Sequence, residues 1–156
     1  MTPLATLYQW LLLLHVLATM VWVGGLVALA VLAAHVLRGN DPDTVARFSA
    51  NLRVVGPFAL APASAVALGT GIWMVVDSPA WGFGDTWIWI GIGAFAAAFG
   101  VGAVFLSRAA LAAERAVRER DHPRAARELR RWSWGIRLVL ALLVVAAWDM
   151  VFKPGI

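Results

Sequence analysis

The sequence predicts an all-α membrane protein: a four-transmembrane-helix bundle with a cytoplasmic helical hairpin between its third and fourth helices. Three observations predict it. The 156 residues are 62% hydrophobic and only 14% charged, whereas soluble domains sit nearer half apolar and a quarter charged. A water-surrounded globule of this size would have to expose much of that excess, and a bilayer removes the difficulty. Four stretches are apolar over the length needed to cross hydrocarbon, about 20 residues at 1.5 Å rise each. The basic residues, finally, are confined to alternate connections, the asymmetry that orients a membrane protein.

The first span runs from about Leu7 to Leu37 and has no acidic or basic residue except His15 and His35. It exceeds a bare crossing, so it should tilt or extend into the interface. Met1 to Trp10 carries no Lys or Arg, so the basic start of a cleavable signal peptide is missing and a retained helix is expected. The second span covers about Val54–Val76. Pro57 and Pro62 each remove a backbone donor and should bend its first half. The third covers Trp87–Ser107. Its small residues fall in two stripes, Ala94, Ala98 and Gly102 on one and Ala96 and Gly100 on the other, a spacing that lets helix backbones approach closely in lipid. The fourth covers Trp132–Phe152, with Arg137 near its start and Asp149 near its end. One domain, residues 1–156, accounts for the whole chain.

Of the 13 Lys and Arg residues, all but Lys153 lie in loop one (Arg38 to Arg53), in loop three, or just inside the fourth span at Arg137. The positive-inside rule places that side in the cytoplasm and both termini outside. In loop one, Asn40-Asp41-Pro42-Asp43 reads as a helix cap followed by Pro at the first helical position. Loop three continues the third helix past the membrane, with Glu114–Arg118 and Arg115–Glu119 as i,i+4 pairs. Asp121-His122-Pro123 then breaks the run and caps a second short helix leading to Arg131. The expected partners of this basic hairpin are the bilayer and its anionic headgroups, not nucleic acid. Most of the nine Trp residues stand at span ends, as aromatic belts do, and Trp22 is the mid-helix exception.

Ionisable groups inside a bilayer are costly and therefore candidates for function. His15 lies roughly 12 Å below the outer end of the first helix, and Asp149 roughly 6 Å below the outer end of the fourth. Antiparallel helices put both in the outer half of the membrane. A neutral imidazole ligates haem iron or copper through one nitrogen while an acceptor on the other fixes its tautomer, and Asp149 is a candidate acceptor. Thr19, Trp22 and Leu26 share the face of His15, with Gly25 nearby, a mix of large walls and a small gap that suits a flat macrocycle. A His–Asp pair that only locks two helices is the alternative. His35, roughly 30 Å along the same helix, cannot share a small site with His15. With no cysteine, copper would have to rely on His15 with Met74 or Met150, without the paired spacing soft copper sites favour.

The run Leu14-His15-Val16-Leu17-Ala18-Thr19-Met20-Val21-Trp22-Val23-Gly24-Gly25-Leu26 resembles the first helix of the CopD/HemJ-like group of small bacterial membrane proteins. Ala61-Pro62-Ala63, Gly71-Ile72-Trp73 and the ending Val151-Phe152-Lys153-Pro154 agree in order. The resemblance covers all four spans. It implies a four-helix bundle in the bacterial inner membrane, with His15 at the position that binds b-type haem in the HemJ-type protoporphyrinogen oxidases. The lysine those enzymes carry in the third helix has no counterpart in Trp87–Ser107, so the chain looks more like the uncharacterised integral-membrane branch near CopD than like a porphyrinogen oxidase. The expected site has His15 as axial ligand, Trp22 and Trp73 as walls, Gly25 as the gap and Asp149 orienting the ligand or relaying protons, in service of electron transfer. The competing expectations are copper handling through His15 with Met74 or Met150, and a non-catalytic membrane scaffold. Self-association into a homo-oligomer is left open.

Overall fold

The computed structural model describes residues 3–39 and 41–154, with side-chain surroundings from residue 7 onward. Six α-helices and two π-helical turns make up the described structure, without a strand. Four continuous helical stretches are long and apolar enough to cross a membrane: Leu7–Gly39, Pro42–Asp77, Thr86–Arg118 and His122–Phe152. Helix α1 spans Pro3–Gly39. Its long apolar run, with no Pro beyond the first position at Pro3, keeps it unbroken.

The second stretch has three parts. Helix α2 (Pro42–Val55) starts at Asp41, whose carboxylate accepts from the Thr44 amide, and buries Val45, Phe48 and Leu52. Asn40 lies outside the described residues. A π-helical turn over Gly56–Leu60 follows, and then helix α3 (Ala61–Asp77). Pro57 and Pro62 lack the amides that would close two successive α-turns, and the chain widens there as it does at many helix bends.

The third stretch comprises helix α4 (Thr86–Gly100), a second π-helical turn (Val101–Leu106) and helix α5 (Ser107–Arg118). Ala98 is buried and Ala94 half-buried, whereas Ala96 and Gly100 are exposed. Only the first small-residue stripe therefore packs inward. Helix α5 buries Ala109, Ala110, Ala113 and Ala116, a narrow face that lets it lie close against helix α6 (His122–Phe152). The expected separate short helix before Arg131 is instead the first turns of α6. Asp121 caps it, accepting from the Arg124 amide, and nothing between Pro123 and Trp132 interrupts the backbone ladder. The tight reversal runs through Arg120 at φ 57°. Of the two expected ion pairs, Glu114–Arg118 forms at 3.4 Å. Glu119 turns instead to Arg124 across the reversal, at 2.9 Å.

Helix α1 packs on α3, α6 packs on α4 and α5, and α1 and α6 join the two halves; α3 and α4 do not pack against each other to any extent. At the Arg-rich end α2 closes onto α5 and α6, with Phe48 edge-on to Trp132 and Arg53 bonded to Glu114 at 2.7 Å. The hydrophobic core is densest in this half, through Leu29, Ala33, Leu52, Ala116, Leu129 and Ile136. The opposite half, which carries both chain ends and the loop 78–85, is hollow. Trp10, Trp73, Trp89, Trp134 and Trp148 are exposed at the span ends, as expected of belts, while Trp22, Trp87 and Trp132 turn inward.

Candidate functional site

The hollow is a cavity of about 930 Å³ bounded by α1, α3, α4, α6 and the loop 78–85. Apolar ligand pockets commonly fall between about 300 and 1,000 Å³. Its walls are almost wholly apolar, and the polar side chains that reach it are few: Tyr8, His15, Thr19 and Lys153, with the indoles of Trp22, Trp81 and Trp87. It lies where α3 and α4 stand apart. Inside the bundle Trp22 meets Phe95 with ring centroids 5.2 Å apart.

His15 is half-buried in the α1 wall. Its Nδ1 stands 2.8 Å from the Ala67 carbonyl oxygen and 3.3 Å from the Thr70 hydroxyl. A carbonyl only accepts, so Nδ1 carries the proton, and in the neutral ring the lone pair is on Nε2. Among the described residues Nε2 has no hydrogen-bond partner. Thr70 donates to the Val66 carbonyl at 2.7 Å, which leaves its oxygen lone pairs toward the imidazole. Thr19 donates back to the carbonyl of His15. Gly71 completes the seat: a methyl group there would stand 3.2 Å from Cε1 and 3.4 Å from Nδ1, so the bare backbone is what lets α3 approach the ring.

The structure brings some of the expected site residues together and separates others. His15, Trp22, Met74 and Met150 line one cavity, joined by Met20. Trp73 does not line it and is 55% exposed at the belt. Gly25 faces the π-helical turn, where an added methyl would stand 2.6 Å from Leu60 Cδ2; it is a packing gap between α1 and the second stretch. The acceptor for His15 is the Ala67 carbonyl and not Asp149. Asp149 is fully buried against α4, one oxygen 3.2 Å from where a Gly91 methyl would sit, and neither oxygen has a hydrogen-bond partner among the described residues. It does not line the cavity, whereas Ala146, Ala147 and Met150 around it do. His35 is exposed near the Arg-rich end of α1, far from this site. Among the described residues no three or more His, Cys, Asp or Glu side chains gather as a metal-holding group.

Ala67, Thr70, Gly71, Phe95 and Lys153 belong to the site and were not singled out for it from sequence. For Gly71 and Lys153 a signal existed, since each sits in a short motif shared with the resembling group. For Ala67 there is none, because the acting group is a backbone carbonyl.

A four-span membrane bundle with a histidine-seated cavity in one half is the class these features define. Residues 9–154 match the family described as "Predicted integral membrane protein (DUF2269)", and the chain belongs to it. No curated protein and no solved structure matches.

Proposed function

We propose that this protein binds b-type haem in the cavity, with His15 Nε2 as axial ligand, and serves electron transfer in the bacterial cytoplasmic membrane with both termini outside. One observation carries the reading. The proton on Nδ1 is committed to the Ala67 carbonyl, which leaves the Nε2 lone pair free beside a large apolar cavity. A ring nitrogen held by a backbone carbonyl is the arrangement that orients a ligating histidine and raises its basicity. The residues present fit the group: apolar walls for a macrocycle, Trp22 and Phe95 as aromatic surface, and Gly71 giving the ring its place. Bound haem would supply one-electron chemistry. The chain's own part is to hold the imidazole tautomer, exclude water and present the pocket to the lipid phase. The first-helix likeness to the CopD/HemJ-like group supports the same ligand, and the confinement of Arg to one end supports the orientation.

The test is the absorbance of protein purified in mild detergent. The Soret band should be present in the wild type and lost in His15→Ala, and a band that survives the substitution intact would overturn the assignment. Reporter fusions at the two termini check the orientation.

A copper-handling role is the second reading, favoured by one observation: Met20, Met74 and Met150 line the cavity with His15. Thioethers and an imidazole suit cuprous ion. Metal analysis of the purified protein separates the two, iron with a Soret band supporting haem and colourless copper supporting this alternative.

A further inference from the structure

We infer that Lys153 binds an acidic end-group of the cavity's ligand, which makes that ligand an amphiphile taken from the bilayer with its carboxylate toward the terminal end of the bundle. The inference rests on the reading of the cavity as a haem site and adds which part of the ligand meets which part of the protein.

Lys153 ends α6 in the left-handed conformation at φ 43°, its amide bonded to the Asp149 carbonyl at 2.8 Å. Few residues other than Gly adopt that backbone. Here it turns the chain so that the ammonium lies 3.4 Å above the Trp81 ring and 5.4 Å from that of Trp87, at the cavity rather than out in solvent. Among the described residues it is the only Lys or Arg side chain lining the cavity. A cation at a helix C-terminus is favoured by the dipole alone, but this one is held over two indoles and not over the final carbonyls. Among the described residues no carboxylate pairs with it, although Asp149 stands one turn back on the same helix. Ring faces are weak partners for an ammonium compared with an anion. The arrangement holds a preplaced cation over an apolar cavity and, among the described residues, offers it no counter-charge.

The gap between α3 and α4 points to the source of the ligand. Because α3 and α4 stand apart, an apolar body can pass between them from the acyl chains without crossing water. An acidic group on that body would stay near the headgroups, at the depth of Lys153. Haem meets that description through its two propionates.

The experiment uses the full chain in detergent, titrated with haem and with haem dimethyl ester, whose acids are blocked. Affinities are read from the Soret band in wild type, Lys153→Gln and Lys153→Arg. The wild type should prefer the free acid by about tenfold, the scale of one charge-assisted hydrogen bond. Lys153→Gln should lose that preference and Lys153→Arg should recover most of it. Partitioning into detergent is common to all three, so only the change in ratio counts. An equal ratio in wild type and Lys153→Gln, with a His15-dependent band still present, overturns the role of Lys153 and leaves the haem reading standing. No His15-dependent band with either compound overturns that reading and this inference with it.

Discussion

Gly71→Ala is the substitution that most directly tests the seat of His15. The added methyl would lie 3.2 Å from Cε1 and 3.4 Å from Nδ1, against roughly 3.5–4.0 Å for a comfortable carbon contact. The ring must yield by a few tenths of an ångström, and the only free direction is away from α3. That lengthens the 2.8 Å bond to the Ala67 carbonyl and the 3.3 Å approach to Thr70 together. One such hydrogen bond contributes about 1 kcal/mol, and loosening the partner of a ligating histidine weakens ligand affinity roughly 10- to 100-fold. The expected outcome is the lower figure, about tenfold, since the bond is strained and not removed. Gly69→Ala is the control, because it lies on the same helix with nothing within 4 Å of the added carbon. Both substitutions gain about 0.8–1.0 kcal/mol of helix propensity. On the proposed haem reading, Gly69→Ala should therefore stabilise the protein and leave haem affinity alone. Gly71→Ala should gain little net stability and bind about tenfold more weakly. Soret titration and thermal unfolding in one detergent read both quantities. Wild-type affinity in Gly71→Ala, or equal weakening in the two variants, would refute the reasoning.

Two further outcomes follow from the geometry. Gly91→Ala should cost about 1 kcal/mol of overpacking against the buried Asp149 oxygen 3.2 Å away and become neutral or stabilising in an Asp149→Ala background; a thermal-unfolding cycle checks this, and additive effects would sink the α4–α6 contact as described. The Thr44 hydroxyl and amide hold the Asp41 carboxyl below its ordinary value of 3.8. Its contribution to capping α2 is thus complete above that value and lost as pH falls through the depressed one. Protection of the Thr44 amide against hydrogen exchange should fall over that acid range in the wild type and stay flat in Asp41→Asn, which caps without titrating.

That the chain has four membrane-crossing stretches was legible because apolar length is a strong signal, and four helical stretches are long and apolar enough to cross. These helices run longer than their apolar cores. Amphipathic α2, α5 and the first turns of α6 continue the same helices past the lipid, and hydropathy sees only the part in hydrocarbon. An irregularity near Pro57 and Pro62 was readable from their missing amides, and it takes the form of a π-helical turn over Gly56–Leu60. The π-helical turn at Val101–Leu106 was not, since every residue there keeps its donor. His15 was found because an imidazole in lipid is rare. Asp149 was paired with it through depth alone, which follows from a rise of 1.5 Å per residue. Azimuth decides contact, and roughly 100° per residue turns Asp149 away from the direction in which Met150 and Ala146 meet the cavity. Azimuth is set by packing, here by the gap at Gly91.

The position of the cavity follows from how the second and third stretches cross. They touch at the Arg-rich end, where α2 meets α5 through Arg53 and Glu114, and diverge toward the other end, where α3 lies on α1 and α4 lies on α6. Both carry a π-helical turn between those two packings, at Gly56–Leu60 and Val101–Leu106. An extra residue in a helical turn rotates everything beyond it; the third stretch nonetheless stays on α6 through both halves and adds α2 only at the Arg-rich end. Their divergence leaves room for the cavity of about 930 Å³, which α1 and α6 close from the other sides. The loop 78–85 then bridges the parted ends and brings Trp81 to the cavity. Neither irregular turn lines the cavity; both stand between the end where the two stretches touch and the end where they part.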